Sequence, residues 1–91
     1  MPARRLSIHG QFQGVGYRES MRRAAEKLEV SGWVRNRRDG SVEALVCGAD
    51  EAITAIIALA RTGPRFSKVE CVLIEHDEVI SSTGFTVIST E

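Results

Sequence analysis

The sequence predicts an α+β sandwich in which two helices pack on one face of a mainly antiparallel sheet. Three observations carry this. An alternating apolar run over residues 5–12 gives way, across a cluster of glycines, to a helical period over residues 18–30. Asp39-Gly40, set between two strand-like runs, marks a β-hairpin. A second helical pattern, stopped by Gly63-Pro64, is followed by a strand-like run over residues 68–75. The resulting order, β-α-β-β-α-β with a short closing strand, is that of the ferredoxin-like fold. No repeat, linker or low-complexity segment interrupts it. Residues 1–91 are therefore expected to form one domain, long enough to bury a core.

The first strand sets Leu6, Ile8 and Phe12 on one face against Ser7, His9 and Gln11 on the other. His9 thus falls on the polar side, where a solvated role is expected. In the first helix Met21, Ala24, Ala25 and Leu28 stand at i, i+3, i+4 and i+7 and form an apolar stripe. Arg22, Arg23, Glu26, Lys27 and Glu29 take the solvated side, with local ion pairs. Ser31-Gly32 is expected to end this helix, Gly32 being available for a left-handed cap or turn.

Residues 33–38 and 41–47 read as the two hairpin strands. A two-residue type I′ turn on Asp39-Gly40 fits, and so does a type I turn with Gly40 in a left-handed bulge, which pairs Arg37 with Ser41. The second is preferred because it sets Val34 and Asn36 on the same face as Val42, Ala44 and Val46. It leaves Trp33 on the opposite face, where nothing in the sequence accounts for it. Ala49-Asp50-Glu51 opens the second helix with acidic residues suited to its N-terminus, and Ile53, Ile56, Ile57 and Ala60 repeat the helical spacing. His76-Asp77-Glu78 reads as a polar turn and Phe85 to Ile88 as the last strand. A right-handed β-α-β crossover makes the first two strands parallel. Their C-terminal ends then share one edge of the sheet, which brings Asn36 toward the glycine cluster.

Composition narrows the function classes. The apolar share of 43% is ordinary for a globular chain, and no apolar run approaches the roughly 20 residues of a membrane span. Met1-Pro2-Ala3-Arg4-Arg5 leads straight into a strand without a signal-peptide core, so a cytoplasmic location is expected. Cys47 and Cys71, both inside apparent strands, are expected to be buried free thiols. No CxxC is present and His9 and His76 are isolated, which argues against a metal site. The formal net charge of zero hides an asymmetry: residues 1–38 hold nine Lys/Arg and three Asp/Glu, and residues 39–91 hold three and nine. The basic half carries the glycine cluster, which suits a small anion better than a long polyanion.

Gly10-Gln11-Phe12-Gln13-Gly14-Val15-Gly16-Tyr17-Arg18 is the stretch that carries chemistry. A strand turning through glycines into a helix can aim several backbone N–H groups at one oxyanion, and Arg18 adds a fixed cationic fork. Taken alone, the same glycines also suit a flexible turn. Together with Gly32-Trp33-Val34-Arg35-Asn36 and Asp39-Gly40-Ser41-Val42-Glu43, however, the stretch resembles acylphosphatase, and the resemblance runs over essentially the whole chain. Gln11 stands where an arginine is common in that family and Phe12 where a valine is usual. The Gln11 difference bears on surface charge, since it lies outside the turn proper.

The resemblance implies hydrolysis of acyl phosphates to a carboxylate and inorganic phosphate, without metal or cofactor. It implies that Arg18 and the backbone amides of Gln13, Gly14, Val15, Gly16, Tyr17 and Arg18 bind the phosphate, and that Asn36 holds the attacking water. Elementary chemistry agrees. Phosphoryl transfer needs positioning and charge stabilisation above all. A carboxylate, with a pKa of about 4–5, departs without being protonated, so no general acid is required. That fits a chain with no His/Asp pair or carboxylate dyad. A neutral Asn orients water without acting as a base, which leaves the substrate phosphate as the candidate proton acceptor.

Other polar residues weigh less. Glu19 and Ser20 read as helix-start partners and Tyr17 as packing; Arg35, Arg37 and Arg38 read either as strand-end cations that add field near the site or as merely solvated ones, and they stay outside the catalytic set. Thr54 and Ser67 have no companions that would make them nucleophiles. The competing function is a non-catalytic phosphate- or RNA-binding module, since ferredoxin-like folds host many functions. RNA-binding versions display stacking aromatics on the sheet, whereas this chain holds five aromatic residues and no aromatic-rich strand. The expected partners are therefore a small acyl phosphate and inorganic phosphate as product and inhibitor, with neither membrane nor nucleic acid, for a monomer. The chain is expected to be complete, which sets aside a regulatory domain of a larger carbamoyl-transfer protein.

Overall fold

In a computed structural model that describes residues 2–12, 16–65, 67–77 and 84–90, the elements follow the predicted order. They are β1 (Ala3–Gln11), α1 (Tyr17–Leu28), β2 (Ser31–Asn36), β3 (Val42–Cys47), α2 (Asp50–Thr62), β4 (Lys68–Asp77) and β5 (Phe85–Val87). The strands form one sheet in the order β4-β1-β3-β2-β5. Every neighbouring pair is antiparallel except β2 with β5, which is parallel. Since β1 and β2 both run antiparallel to β3 between them, they are parallel to each other and end at the same edge, as expected.

The core lies between the helices and one face of this sheet. Leu6, Ile8, Val34, Val42, Ala44 and Val46 face Met21, Ala25, Ile53, Ile56 and Ala60, all buried. Each large aliphatic residue taken out of water there contributes about 1.5–3 kcal/mol. The period-2 residues of the strands and the period-3.6 residues of the helices thus meet in a single layer. All six residues of β3 are buried, so Glu43, Leu45 and Cys47 are covered on the face away from the helices as well.

The hairpin adopts the preferred register. Asn36 pairs with Val42, Val34 with Ala44, and the Arg37 N–H donates to the Ser41 carbonyl at 2.8 Å. Gly40 has φ +89°, and its N–H donates to the Arg37 carbonyl at 3.1 Å, closing a turn over Arg37–Gly40 whose last residue is left-handed. Asp39 Oδ1 accepts from the Ser41 N–H at 2.9 Å and from the Ser41 hydroxyl at 2.6 Å. Those two bonds hold its carboxyl below the usual carboxylate range.

Three expectations need correction. The first concerns the end of α1. The left-handed cap is Glu29, with φ +57°, and not Gly32, which lies inside β2. The Val30 N–H donates to the Ala25 carbonyl at 2.9 Å and the Glu29 N–H to that of Glu26 at 3.3 Å, a Schellman-type end with Val30 buried behind it. Gly32 serves a different need: a Cβ there would sit 1.8 Å from the Leu45 carbonyl oxygen. The second concerns Cys71, which is a free thiol but exposed, because β4 is an edge strand; Cys47 is free and buried. The third is the polar turn, since His76 and Asp77 extend β4 by pairing with Arg4 and Ala3; Glu78 lies outside the described residues.

A side chain in the left-handed region costs about 1–2 kcal/mol, part of which glycine gives back through the entropy of its unfolded chain. Glu29→Gly is therefore expected to stabilise the fold by about 0.5–1 kcal/mol. An upward shift of the urea midpoint at constant m-value would show it; an unchanged or lower midpoint would remove the strain assigned to Glu29.

Candidate active site

The edge at which β1 and β2 end, together with the start of α1, encloses an open cleft of about 470 Å³. Its walls are Phe12, Gly16, Tyr17, Arg18, Glu19, Asn36 and Val87. Arg18 and Asn36, 18 positions apart in the chain, thus line one cavity, as parallel β1 and β2 require. Val87 reaches it because β5 pairs in parallel with β2 through Gly32–Phe85 and Val34–Val87.

The start of α1 is arranged for an anion. Gly16 occupies the N-cap with φ 72°, ψ 32°, and no side chain among the described residues caps the helix. The first N–H groups of a helix have no intrahelical acceptor, and no side chain among the described residues supplies one here, so the positive end of the dipole faces the cleft. Arg18 sits in that first turn, partly exposed, with no carboxylate partner among the described residues. Glu19, the acidic residue beside it, is occupied by Arg22 through hydrogen bonds of 3.0 and 3.1 Å and by Arg23 at 3.5 Å. The Arg22 hydrogen bonds hold its carboxyl below the usual range, so it stays ionised but matched by two cations. Of the predicted phosphate-binding amides, Gly16, Tyr17 and Arg18 lie at the cleft, while Gln13, Gly14 and Val15 lie outside the described residues.

Tyr17 fixes where α1 begins. Its ring is buried, packs at 4.6 Å from that of Phe12, and its hydroxyl donates to the Ala60 carbonyl at 2.6 Å. Four residues beyond Ala60 stands Pro64, which has no N–H to offer that carbonyl. The phenol supplies the missing donor and ties the two helices together, and burial pushes its pKa up, away from any acid–base use. Asn36 emerges on the helix-side face of β2, at its last residue, and its side-chain amide has no hydrogen-bond partner among the described residues.

Arg35 and Arg37 flank Asn36 but face the other way. On the open side of the sheet the Arg35 Nε donates to Glu43 Oε1 at 2.7 Å, and Arg37 Nη2 lies 2.8 Å from Glu43 Oε2. Arg35 also lies 5.2 Å from the ring centre of Trp33, which gives that residue its partner on the open face. Sequence reasoning had set both arginines aside as solvated and gave Glu43 no role. The signal was present, since the chosen register places Arg35 opposite Glu43 as a cross-strand charge pair. The walls supplied by Phe12, Glu19 and Val87 were also missed. No group of three His, Cys, Asp or Glu among the described residues could hold a metal ion.

Comparison with known proteins addresses the same features. The acylphosphatase family model matches residues 4–87. The chain belongs to the acylphosphatase family. An acylphosphatase from Thiobacillus denitrificans is 58% identical over 73 residues, 80% of this chain and 82% of its own. The crystal structure of acylphosphatase from Bacillus subtilis superposes with a TM-score of 0.91 at 31% identity, over 97% of this chain and 99% of that one. An acylphosphatase structure from Coxiella burnetii gives 0.92 at 33% identity, over 96% and 92%. The ferredoxin-like α+β fold is thus shared with acylphosphatases over nearly the full described length.

Proposed function

We propose that this chain hydrolyses acyl phosphates, releasing a carboxylate and inorganic phosphate, at the cleft between the start of α1 and the end of β2. The observation that carries the reading is that Arg18 and Asn36 line one cavity beside an uncapped helix N-terminus, in a member of the acylphosphatase family. The Arg18 guanidinium takes two phosphate oxygens, and the amides from Gln13 to Arg18 take the remaining charge. Water held by Asn36 attacks phosphorus. The bond from phosphorus to the acyl oxygen breaks, the carboxylate leaves unprotonated, and the water proton passes to a phosphate oxygen. No residue of the cleft is asked to act as a general acid, and Glu19, the one carboxylate in its wall among the described residues, is held ionised by Arg22.

The cleft is open and its walls carry few groups suited to one particular acyl moiety, so the phosphate end supplies recognition. Inorganic phosphate is then both product and competitive inhibitor. Residues 1–91 act as one domain in this reading, and the protein works as a cytoplasmic monomer; among the described residues no helix is long and apolar enough to cross a membrane.

The test is turnover of benzoyl phosphate by the purified protein in the presence of EDTA, repeated with Asn36→Ala. Wild type is expected to turn over and to be inhibited competitively by phosphate. Asn36→Ala is expected to lose about 10²-fold or more in kcat while binding phosphate as before, since only the water loses its position. Phosphate binding without turnover by the folded wild type would favour a non-catalytic phosphate-binding module. Full activity of Asn36→Ala would remove the water from that residue.

A further inference from the structure

Glu43 is the most buried charged group described: its side chain is 6% exposed, on the sheet face opposite the cleft, and the hydrolytic reading makes no use of it. Burial on its own pushes the carboxyl up; the hydrogen bonds from Arg37 and Arg35 outweigh that and hold it ionised below the usual range. Its two oxygens are divided between Arg35 of the neighbouring strand and Arg37, the residue that follows that strand. Oε1 accepts from Arg35 at 2.7 Å through Nε and lies 2.6 Å from Nη2, a fork-like grip. Oε2 lies 2.8 Å from Arg37 Nη2 and 4.0 Å from Arg5 Nη1, and Arg37 Nη2 also donates to Ser7 Oγ at 3.3 Å.

The residue between Arg35 and Arg37 is Asn36. One carboxylate on β3 therefore grips the end of β2 from both sides, at the positions directly before and after the residue that holds the water. On the backbone the same short segment is fixed by Asn36 pairing with Val42 and by the Arg37 N–H bonded to Ser41. A strand end is where a sheet frays most readily, since pairing on one side is already lost. Here the fraying end is tied by side chains on the face away from the substrate, so the clamp takes no room in the cleft.

We infer that Glu43 is a positioning residue for catalysis, clamping Arg35 and Arg37 so that the Asn36 amide between them holds the attacking water in line with the phosphate. This rests on the assignment of the water to Asn36. Glu43 touches neither substrate nor water. Its effect falls on the attack step and spares phosphate binding, which belongs to Arg18 and α1.

A double-mutant cycle of Glu43→Gln with Asn36→Ala, read with benzoyl phosphate as substrate and inorganic phosphate as inhibitor, tests it. Glutamine keeps the shape but cannot accept from both arginines as a carboxylate does. Glu43→Gln in the wild-type background is expected to lower kcat about tenfold, with the phosphate inhibition constant unchanged within about twofold. In the Asn36→Ala background the same substitution is expected to leave kcat unchanged, because the group it positions is gone. Arg35→Gln, which releases one half of the grip at a partly exposed side chain, is expected to show the same pattern and stands in if Glu43→Gln does not fold. Equal fractional losses in both backgrounds, or a weakened phosphate inhibition to match the lost kcat, would make Glu43 a purely structural residue and overturn the inference. The Asn36→Ala single variant reports separately on the water: if it retains wild-type kcat, the assignment of Asn36 fails, and the role of Glu43 with it.

Discussion

Arg18→Ala is expected to lower kcat/KM for benzoyl phosphate by about 10³-fold or more, a loss of roughly 4 kcal/mol in transition-state stabilisation. The size follows from what remains in the cleft. Among the described residues Glu19 is the other charged residue of its wall, and it carries the wrong sign for a phosphate. The neighbouring cations Arg22 and Arg23 are engaged with Glu19. Without the guanidinium, the charge on the equatorial oxygens is met by backbone amides alone, and the loss appears both in turnover and in inhibition by phosphate. Arg18→Lys is expected to recover only part of it, because an ammonium offers a point charge where the guanidinium offers a planar fork matched to two oxygens. Arg18 is partly exposed and pairs with no carboxylate among the described residues, so the thermal midpoint should hardly move. Activity within tenfold of wild type in Arg18→Ala would place the phosphate elsewhere.

How far the cleft can be read from sequence depends on whether a feature is local. The strand and helix periods are local, and so is the Asp39-Gly40 turn. From these the parallel ends of β1 and β2 follow, and with them the meeting of Arg18 and Asn36. The hairpin register was also legible, since only one loop geometry keeps Val34 among the apolar residues, and Val34 is indeed fully buried opposite Ala44. That register already contained the Arg35–Glu43 pair, whose weight became visible only with the burial of Glu43. Other features have no local mark. A three-residue strand such as β5 has no periodicity to display, and its parallel pairing with β2, which carries Val87 to the cleft, is decided by the fold around it. Exposure of Cys71 follows from β4 lying at the sheet edge, a matter of strand order.

The end of α1 shows why a correct local rule can select the wrong residue. Glycine near a helix end signals a left-handed cap, yet here that conformation is taken by Glu29 and the glycine is reserved for a close approach between β2 and β3. Both positions ask for the absence of a side chain. The approach of two backbones cannot be relieved by a rotamer, whereas a left-handed residue at an exposed helix end is merely strained.

Gly32→Ala is accordingly expected to be among the most destabilising substitutions available to this chain, at about 3–4 kcal/mol or more against a total of roughly 5–14 kcal/mol for a domain of this length. The added methyl would meet the Leu45 carbonyl oxygen at 1.8 Å and its carbon at 2.8 Å. Both atoms belong to the backbone of β3, every residue of which is buried. Relief therefore requires β2 and β3 to separate at Gly32–Val46, or β2 to give up the bond from the Gly32 N–H to the Gly84 carbonyl that holds β5. Either movement travels along a six-residue strand whose other end is Asn36. Gly40→Ala is the control: its φ is +89°, but a Cβ there meets nothing within 4 Å. It is expected to cost only the local strain, about 1 kcal/mol. Urea denaturation of both variants separates the two effects, since a close approach lowers the midpoint for Gly32→Ala far more than a shared backbone preference can. A Gly32→Ala midpoint equal to that of Gly40→Ala would mean that β3 yields at Leu45. In that case β2 keeps its place, and with it Asn36 at the far end of that strand, so kcat should stay near the wild-type value.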